Sequence, residues 1–278
     1  MNPSSLISSV IVITGGAGGL GSATAAECSA RGAVVVLLDV DADALERAAR
    51  GVPGDCDTHV LDVTDADACQ RVVDRILVER GKIDVVWANA GVSLYGPVDL
   101  LPGGAWKRII DVNLIGAHNI VRAALPAVIS SQGYVAFTCS WASFAHQPGH
   151  SGYAAAKAGL EAFANSLRLE LAGTGVGVGS FHPGWIDTAM VTGKMTQPAF
   201  AALLDALPGP FGTVTSVDRI VPHFVRALER RSSRMIYPRA GRVLLALRAV
   251  LTTAPFTARS RAAAPEIRRL AARDVRPS

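Results

Sequence analysis

Tyr153 and Lys157 lie four residues apart in Gly-Tyr-Ala-Ala-Ala-Lys, a helical stretch, so both side chains project from one face. An ammonium beside a phenol stabilises the phenolate and draws the phenol pKa down from about 10 toward working pH. Tyr153 is therefore a candidate general acid/base for an alcohol or carbonyl oxygen. The chain holds only four lysines against 23 arginines, yet spends one in this Ala-rich helix. A lone Tyr-x-x-x-Lys is common, so the pair gains meaning only beside a site for something to react with.

Thr14, Gly15, Gly19 and Gly21, spaced T-G-x-x-x-G-x-G, suggest that site. A turn this tight needs positive φ and no Cβ where the backbone meets a pyrophosphate, and the helix that follows offers free N–H groups to its charge. Gly15, Gly18, Gly19, Leu20 and Gly21 are the candidate contacts. Asp39 closes the next apolar run about 20 residues on, with Val40 beside it. A carboxylate there can accept from both ribose hydroxyls of an adenosine and repels a 2′-phosphate, which favours NAD over NADP. The competing reading, a structural turn and a solvated Asp39, is disfavoured by their joint spacing.

These residues need a scaffold, and apolar runs alternating with helical stretches imply βαβ units and a parallel sheet. Strands are expected at Val10 to Thr14, Ala33 to Asp39, His59 to Leu61, Ile83 to Ala88, Gly133 to Cys139, Gly177 to His182 and Arg234 to Tyr237. Between them fall helices at about Leu20 to Arg31, Ala42 to Arg50, Asp65 to Arg80, Trp106 to Val128, Gly152 to Leu171 and Ser216 to Arg230. The fold class is α/β, a Rossmann-type doubly wound sheet of seven parallel strands. Residues 1–238 read as one catalytic domain, and 239–278, where the rhythm stops, as an extension.

The ordered set of Thr14 to Gly21, Asp62-Val63, Asn89-Ala90-Gly91, Asn113, Ser140, Tyr153 with Lys157, and Pro183-Gly184 leading to Thr188 resembles the short-chain dehydrogenase/reductase family over about residues 8 to 238. The resemblance implies that Ser140, 13 residues before Tyr153, hydrogen-bonds the substrate oxygen. It implies that Lys157 holds the nicotinamide ribose as well as lowering the Tyr153 pKa, and that Asn113 holds a water linking Lys157 to solvent. By the same resemblance Asp62 accepts from the adenine amino group, Val63 donates its N–H, and Asn89, Ala90 and Gly91 let the backbone pass close to the cofactor. Asn89 is the sheet-stabilising bonder of the three. Pro183 and Gly184 also border the cofactor, and after them the Ile186 main chain and the Thr188 side chain would hold the carboxamide. Residues 189–213 occupy the position of a substrate lid, and a homodimer or homotetramer through the helices from Trp106 and Gly152 is implied. Ala88-Asn89, where many relatives have Asn-Asn, is a mild departure.

Tyr95, Trp141, Phe144, His146, Trp185 and Met190 are expected to border the substrate, with Leu94 and Met195 nearby; a lining so apolar suits a bulky hydrophobic alcohol or ketone. His146, His150 and His182 lack a carboxylate at triad spacing and read as pocket or loop residues. NADP-linked reduction and a catalytically silent dinucleotide-binding scaffold are the rivals. Cys28, Cys56, Cys69 and Cys139 form no CxxC pair and read as small core hydrophobes, with no metal site. No secretory signal is visible, and the longest apolar runs fall short of the roughly 20 residues that span a bilayer, so a cytoplasmic protein is expected. The net charge of +4 is unevenly spread. Residues 239–278 hold nine arginines against Glu266 and Asp274, leaving 18 basic and 21 acidic residues elsewhere. The apolar, Arg-flanked stretch from Arg239 to Leu251, ended by Pro255, could cap the pocket, pack on a neighbouring subunit or touch a membrane surface. No base-stacking aromatics accompany the arginines, which argues against nucleic acid.

Overall fold

The computed structural model describes residues 6–207 and 209–274. Every residue of β1 (Val10–Thr14) is buried, and alternation sends Val10 and Val12 to one face of the sheet and Ile11 and Ile13 to the other. A strand apolar on both faces must be covered by helices on both sides. The first half continues as α1 (Gly19–Ala30), β2 (Val34–Asp39), α2 (Ala42–Arg50), β3 (Cys56–Val60), α3 (Ala66–Arg80) and β4 (Val85–Ala88). The second runs through α4 (Ala105–Ile110), α5 (Gly116–Ser130), β5 (Tyr134–Thr138), α6 (Ser151–Glu170) and β6 (Gly177–Pro183). Short elements follow: β7 (Ile186–Asp187), α7 (Ala189–Met195), α8 (Pro198–Ala206) and β8 (Thr215–Ser216), the two strands pairing with each other. α9 (Val217–Glu229) and β9 (Arg234–Tyr237) complete the main sheet.

Seven parallel strands lie in the order β3-β2-β1-β4-β5-β6-β9. Val72, Val73 and Ile76 of α3, Ile120 and Val121 of α5, and Leu160 and Leu167 of α6 cover one face. Ala25 and Cys28 of α1, Leu45 of α2, and Ile220, Phe224 and Leu228 of α9 cover the other. Strand order reverses between β1 and β4, and the crevice outside their carboxyl ends is where such sheets bind ligands. The segment Ala105–Ser130 is long and apolar enough to cross a membrane by length and composition, but it packs here on the sheet and on α3, with just over half of its apolar window buried. All four cysteines are free; Cys28, Cys69 and Cys139 are buried and Cys56 is partly so.

Three local features differ from the sequence expectation. The third strand is Cys56–Val60 rather than His59 to Leu61, because β3 is an edge strand whose half-exposed sequence, Cys-Asp-Thr-His-Val, carries no apolar run. The long helix is interrupted by a wide π-type turn at Asp111–Ile115. Beyond β9 the chain forms α10 (Gly241–Ala246) and α11 (Ala254–Asp274), so Pro255 ends nothing; it lies in the first turn of α11, where a missing N–H has no helical partner to lose. α11 folds back onto α8, burying Ile267 and Ala271 against Ala199, Phe200 and Leu203, and Arg268 forks onto both oxygens of Asp99 at 2.9 and 2.5 Å.

Candidate active site

Gly15 takes φ +63°, and a Cβ there would lie 2.8 Å from Ala90 Cα; one on Gly21 would lie 2.3 Å from the Gly15 carbonyl oxygen. Only glycine lets the β1–α1 turn sit this close to the Asn89-Ala90-Gly91 segment after β4. Gly18 caps α1 without any side chain bonding the first N–H groups, and no acidic residue occupies that first turn, so the helix N-terminus is free to meet an anion. Asn89 ties the two strand ends together. Its Nδ2 donates to the carbonyls of Thr14 and Gly15 at 3.1 and 3.2 Å, and its Oδ1 accepts from Thr138 Oγ1 at 2.9 Å.

At the end of β2, Asp39 accepts from the backbone N–H groups of Ala17 at 3.2 Å and Val40 at 2.8 Å, which fixes its carboxylate at the cleft mouth. Asp62 accepts from both the N–H and the hydroxyl of Thr64, at 2.9 and 2.8 Å, and these bonds hold its carboxyl below the usual range. One of its oxygens is thus already engaged.

Gly15, Gly18, Gly19, Leu20, Gly21, Asp39, Val40, Asp62, Val63, Asn89, Ala90, Gly91, Tyr153, Lys157, Pro183, Gly184, Ile186 and Thr188 line a single cleft of about 360 Å³. Arg108, Val112 and Thr138 also line it, and no sequence motif marks them. Arg108 and Val112 are one turn apart in register, and only the approach of α4 to the strand ends reveals that they face the cleft. Glycines that admit no Cβ, an uncapped helix N-terminus and an acceptor at the second strand end together fit a dinucleotide.

Asn113, Ser140, Tyr153 and Lys157 meet where this cleft opens into a second cavity. The π turn places Asn113 with its Nδ2 donating to the carbonyls of Val92 at 2.7 Å and Ile109 at 2.8 Å, while its buried Oδ1 has no partner among the described residues. A Cβ on Gly91 would lie 2.6 Å from that Oδ1 and 3.6 Å from Lys157 Nζ, so both groups border the same glycine. Lys157, 2% exposed, donates to the Thr138 carbonyl at 2.7 Å, and desolvation pushes its ammonium down to about 8. The Ser143 hydroxyl donates to the Lys157 carbonyl at 3.0 Å, and His182 Nδ1 lies 3.2 Å from the Ser140 carbonyl oxygen, which together fix the Ser140 turn.

The phenol of Tyr153 departs from the expectation. Burial pushes it up to about 12, and a hydrogen bond from Ser140, not the charge of Lys157, is what opposes the rise. The physical reason is that Lys157 Nζ turns to Thr138 and stands 5.5 Å from the Tyr153 ring centroid. His150 and His182 are held neutral by burial, at about 3 and about 4, which suits neither to act as a base.

The second cavity, about 470 Å³, is lined by Ser140 and Tyr153 at its inner end and by Trp141, His146, Trp185 and Met190 as expected. Tyr95 and Phe144 do not line it. Tyr95 stands behind the wall, edge-on to His150 at 4.9 Å and Phe200 at 5.3 Å. Phe144 is turned inward by the short 3-10 turn Trp141–Ser143 and packs on His182 at 5.5 Å. Leu94 and Met195 point to solvent, 40% and 47% exposed. The outer wall comes from residues 190–211 and from the C-terminal segment, where Val243, Leu244, Leu247 and Leu251 line it. Sequence alone offers the apolar pattern of that segment but not its direction.

The family model described as short chain dehydrogenase matches residues 9–199. A 3-oxoacyl-[acyl-carrier-protein] reductase of Thermotoga maritima is 34% identical over 217 residues, 76% of this chain and 88% of that protein. A cis-4-hydroxycyclohexanecarboxylate dehydrogenase of Sinomonas cyclohexanicum is 36% identical over 215 residues, 76% of this chain and 85% of that protein. The crystal structure of an NAD+-bound xylitol dehydrogenase superimposes with a TM-score of 0.74 at 25% identity, covering 84% of this chain and 98% of that one.

Proposed function

This chain belongs to the short-chain dehydrogenase family, oxidoreductases that bind a nicotinamide dinucleotide, and from that premise we propose that it moves a hydride between NAD(H) and a hydrophobic secondary alcohol or ketone. The observation that carries the reading is that Tyr153 lines both the cofactor cleft and the apolar cavity, with Ser140 beside it on one side and Lys157 on the other. When bound, the nicotinamide gives or takes the hydride; positioning and proton movement fall to side chains. Asp39, held by the backbone N–H groups of Ala17, Val40 and Asp41 at the cleft mouth, supports NAD over NADP, as does the NAD+-bound relative.

The Ser140 hydroxyl and the Tyr153 phenol would hold the substrate oxygen. A phenol near 12 is suited to donating its proton to a ketone; in the alcohol direction it must first lose that proton, and the Ser140 hydrogen bond is the contact that favours the anion. Lys157, titrating near working pH, can pass the proton on. The free Oδ1 of Asn113, bordering the same glycine, supports a water between the two. An alicyclic secondary alcohol, the substrate in the name of the Sinomonas relative, is of a size the cavity admits. Packing of α11 on the lid supports pocket capping over membrane contact as the role of the C-terminal segment.

Turnover of hydrophobic secondary alcohols and ketones, followed by NADH absorbance, tests this reading. Tyr153→Phe is expected to lower turnover by about a hundredfold or more while NADH binding persists. Unchanged turnover would overturn the assignment.

A further inference from the structure

The four lysines are placed in different ways. Lys82 pairs with Asp84 at 2.7 Å, Lys107 with Asp111 at 2.5 Å, and Lys157 donates to the Thr138 carbonyl. Lys194, on the lid helix α7, lines the large cavity and has no carboxylate partner among the described residues. Its surroundings are apolar: the Phe200 ring centroid is 6.0 Å from Nζ, and Met190 and Val191 share the same wall. Burial pushes its ammonium down to about 8, the mark of a cation that water solvates poorly.

No Asp or Glu is among the described residues that line this cavity. The second permanent cation there, Arg259 of α11, is exposed at the rim and likewise has no ion-pair partner among the described residues. His150, also in the wall, is neutral. The cavity is thus apolar in bulk and positive in charge, and no carboxylate among the described residues of its wall compensates. An ammonium partly removed from water gains most from a counter-charge, and no carboxylate that could supply one is among the described residues of the wall.

We propose that the cavity takes an apolar alcohol or ketone that also carries a carboxylate, received by Lys194 with Arg259 at the rim, while the apolar body lies against Trp185, Leu244 and Leu247. This rests on the proposed function for the alcohol or ketone, but the carboxylate follows from the cavity charge alone. Arg259 is exposed and solvated at the rim, so Lys194 is the one cation drawn out of water, and its single charge is matched by a monoanion. The same placement assigns a task to one of the arginines that make the C-terminal segment basic.

The test is a binding measurement on the full-length protein with octanoate and octanamide, which differ in charge and little in shape. Affinity is read by calorimetry and by fluorescence of Trp141 and Trp185, both in the cavity wall. Octanoate is expected to bind about tenfold or more tightly than octanamide, as for a hydrogen bond to a charged group. Lys194→Gln should remove that difference, and Arg259→Gln should reduce it by a smaller factor. Equal or undetectable affinities in the wild type, or a difference preserved in Lys194→Gln, would overturn the proposal; the wild-type comparison needs no variant to fold. Because the readout is binding, failure here leaves the hydride-transfer reading intact, and failure of the Tyr153→Phe test leaves octanoate binding unaffected.

Discussion

Replacing Asn113 by Ala probes whether the π turn is held by its side chain. Nδ2 donates to two carbonyls, that of Ile109 in a buried setting and that of Val92 where water has partial access. An acceptor left unpaired in the interior costs about 1–3 kcal/mol, and a net hydrogen bond with partial access to water is worth about 0.5–1.5 kcal/mol. The two losses together predict a destabilisation of about 2–4 kcal/mol. Part can be recovered if the turn tightens to α geometry, since the N–H of residue 113 can then donate to the Ile109 carbonyl as an ordinary i to i−4 bond. The net expectation is about 2–3 kcal/mol, which for a chain of this size lowers Tm by about 4–6 °C.

Thermal unfolding read by circular dichroism measures the loss, and NADH-linked turnover read on the same preparation should fall with it. Asn113→Asp separates the two roles of the side chain, because it keeps the shape and an acceptor but removes both donors. Its stability should fall at least as far as that of Asn113→Ala. If both variants melt within about 1 °C of the wild type, the turn is set by the backbone or by packing alone, and the argument from Asn113 is wrong.

Two further outcomes follow from the site. Lys157→Met should raise Tm at pH 7 while abolishing turnover. The folded-state value, about 8 against an ordinary 10.5, corresponds to about 3 kcal/mol against folding, of which the lost Thr138 bond returns about 1 kcal/mol. Between those two values the unfolded chain binds more protons at this lysine than the folded one, so its contribution makes stability rise with pH from about 8 to 10.5. The variant should lack that rise when its unfolding curve is compared with the wild type across the window, and a Tm below the wild type at pH 7 would contradict it. For the cofactor, Asp39→Ser should weaken NADH binding by about tenfold or more and narrow its lead over NADPH, measured by fluorescence titration. A wild type that already binds NADPH more tightly than NADH removes the case for Asp39.

Features set by short stretches of chain are legible in the amino-acid sequence. The T-G-x-x-x-G-x-G turn, the carboxylate at the end of β2 and the helical pairing of Tyr153 with Lys157 depend on backbone geometry within a few residues of each other. Continuous apolar runs such as Val34 to Leu38 read as strands buried on both faces, and with them comes the parallel sheet. β3 lies earlier than its sequence suggests because an edge strand has one flank open and no need of apolar residues on both sides. Tyr95 and Phe144 resemble cavity-wall residues in the sequence because aromatic side chains near a site look alike there whether they face it or brace it from behind.

What tertiary structure alone decided is what depends on partners distant along the chain. The π turn exists with Asn113 bonded to Val92, 21 residues earlier, and no local pattern announces that bond. The balance at Tyr153 is set by burial against the Ser140 hydrogen bond, while Lys157 Nζ points to Thr138. The C-terminal segment, legible only as basic and partly apolar, turns back on α8 because Ile267 and Ala271 find Ala199, Phe200 and Leu203 there. The sequence by itself determined the candidate site residues and the sheet that carries them, since backbone conformation and alternation are local. The shape and charge of the second cavity arise from segments about a hundred residues apart, and only folding brings them face to face.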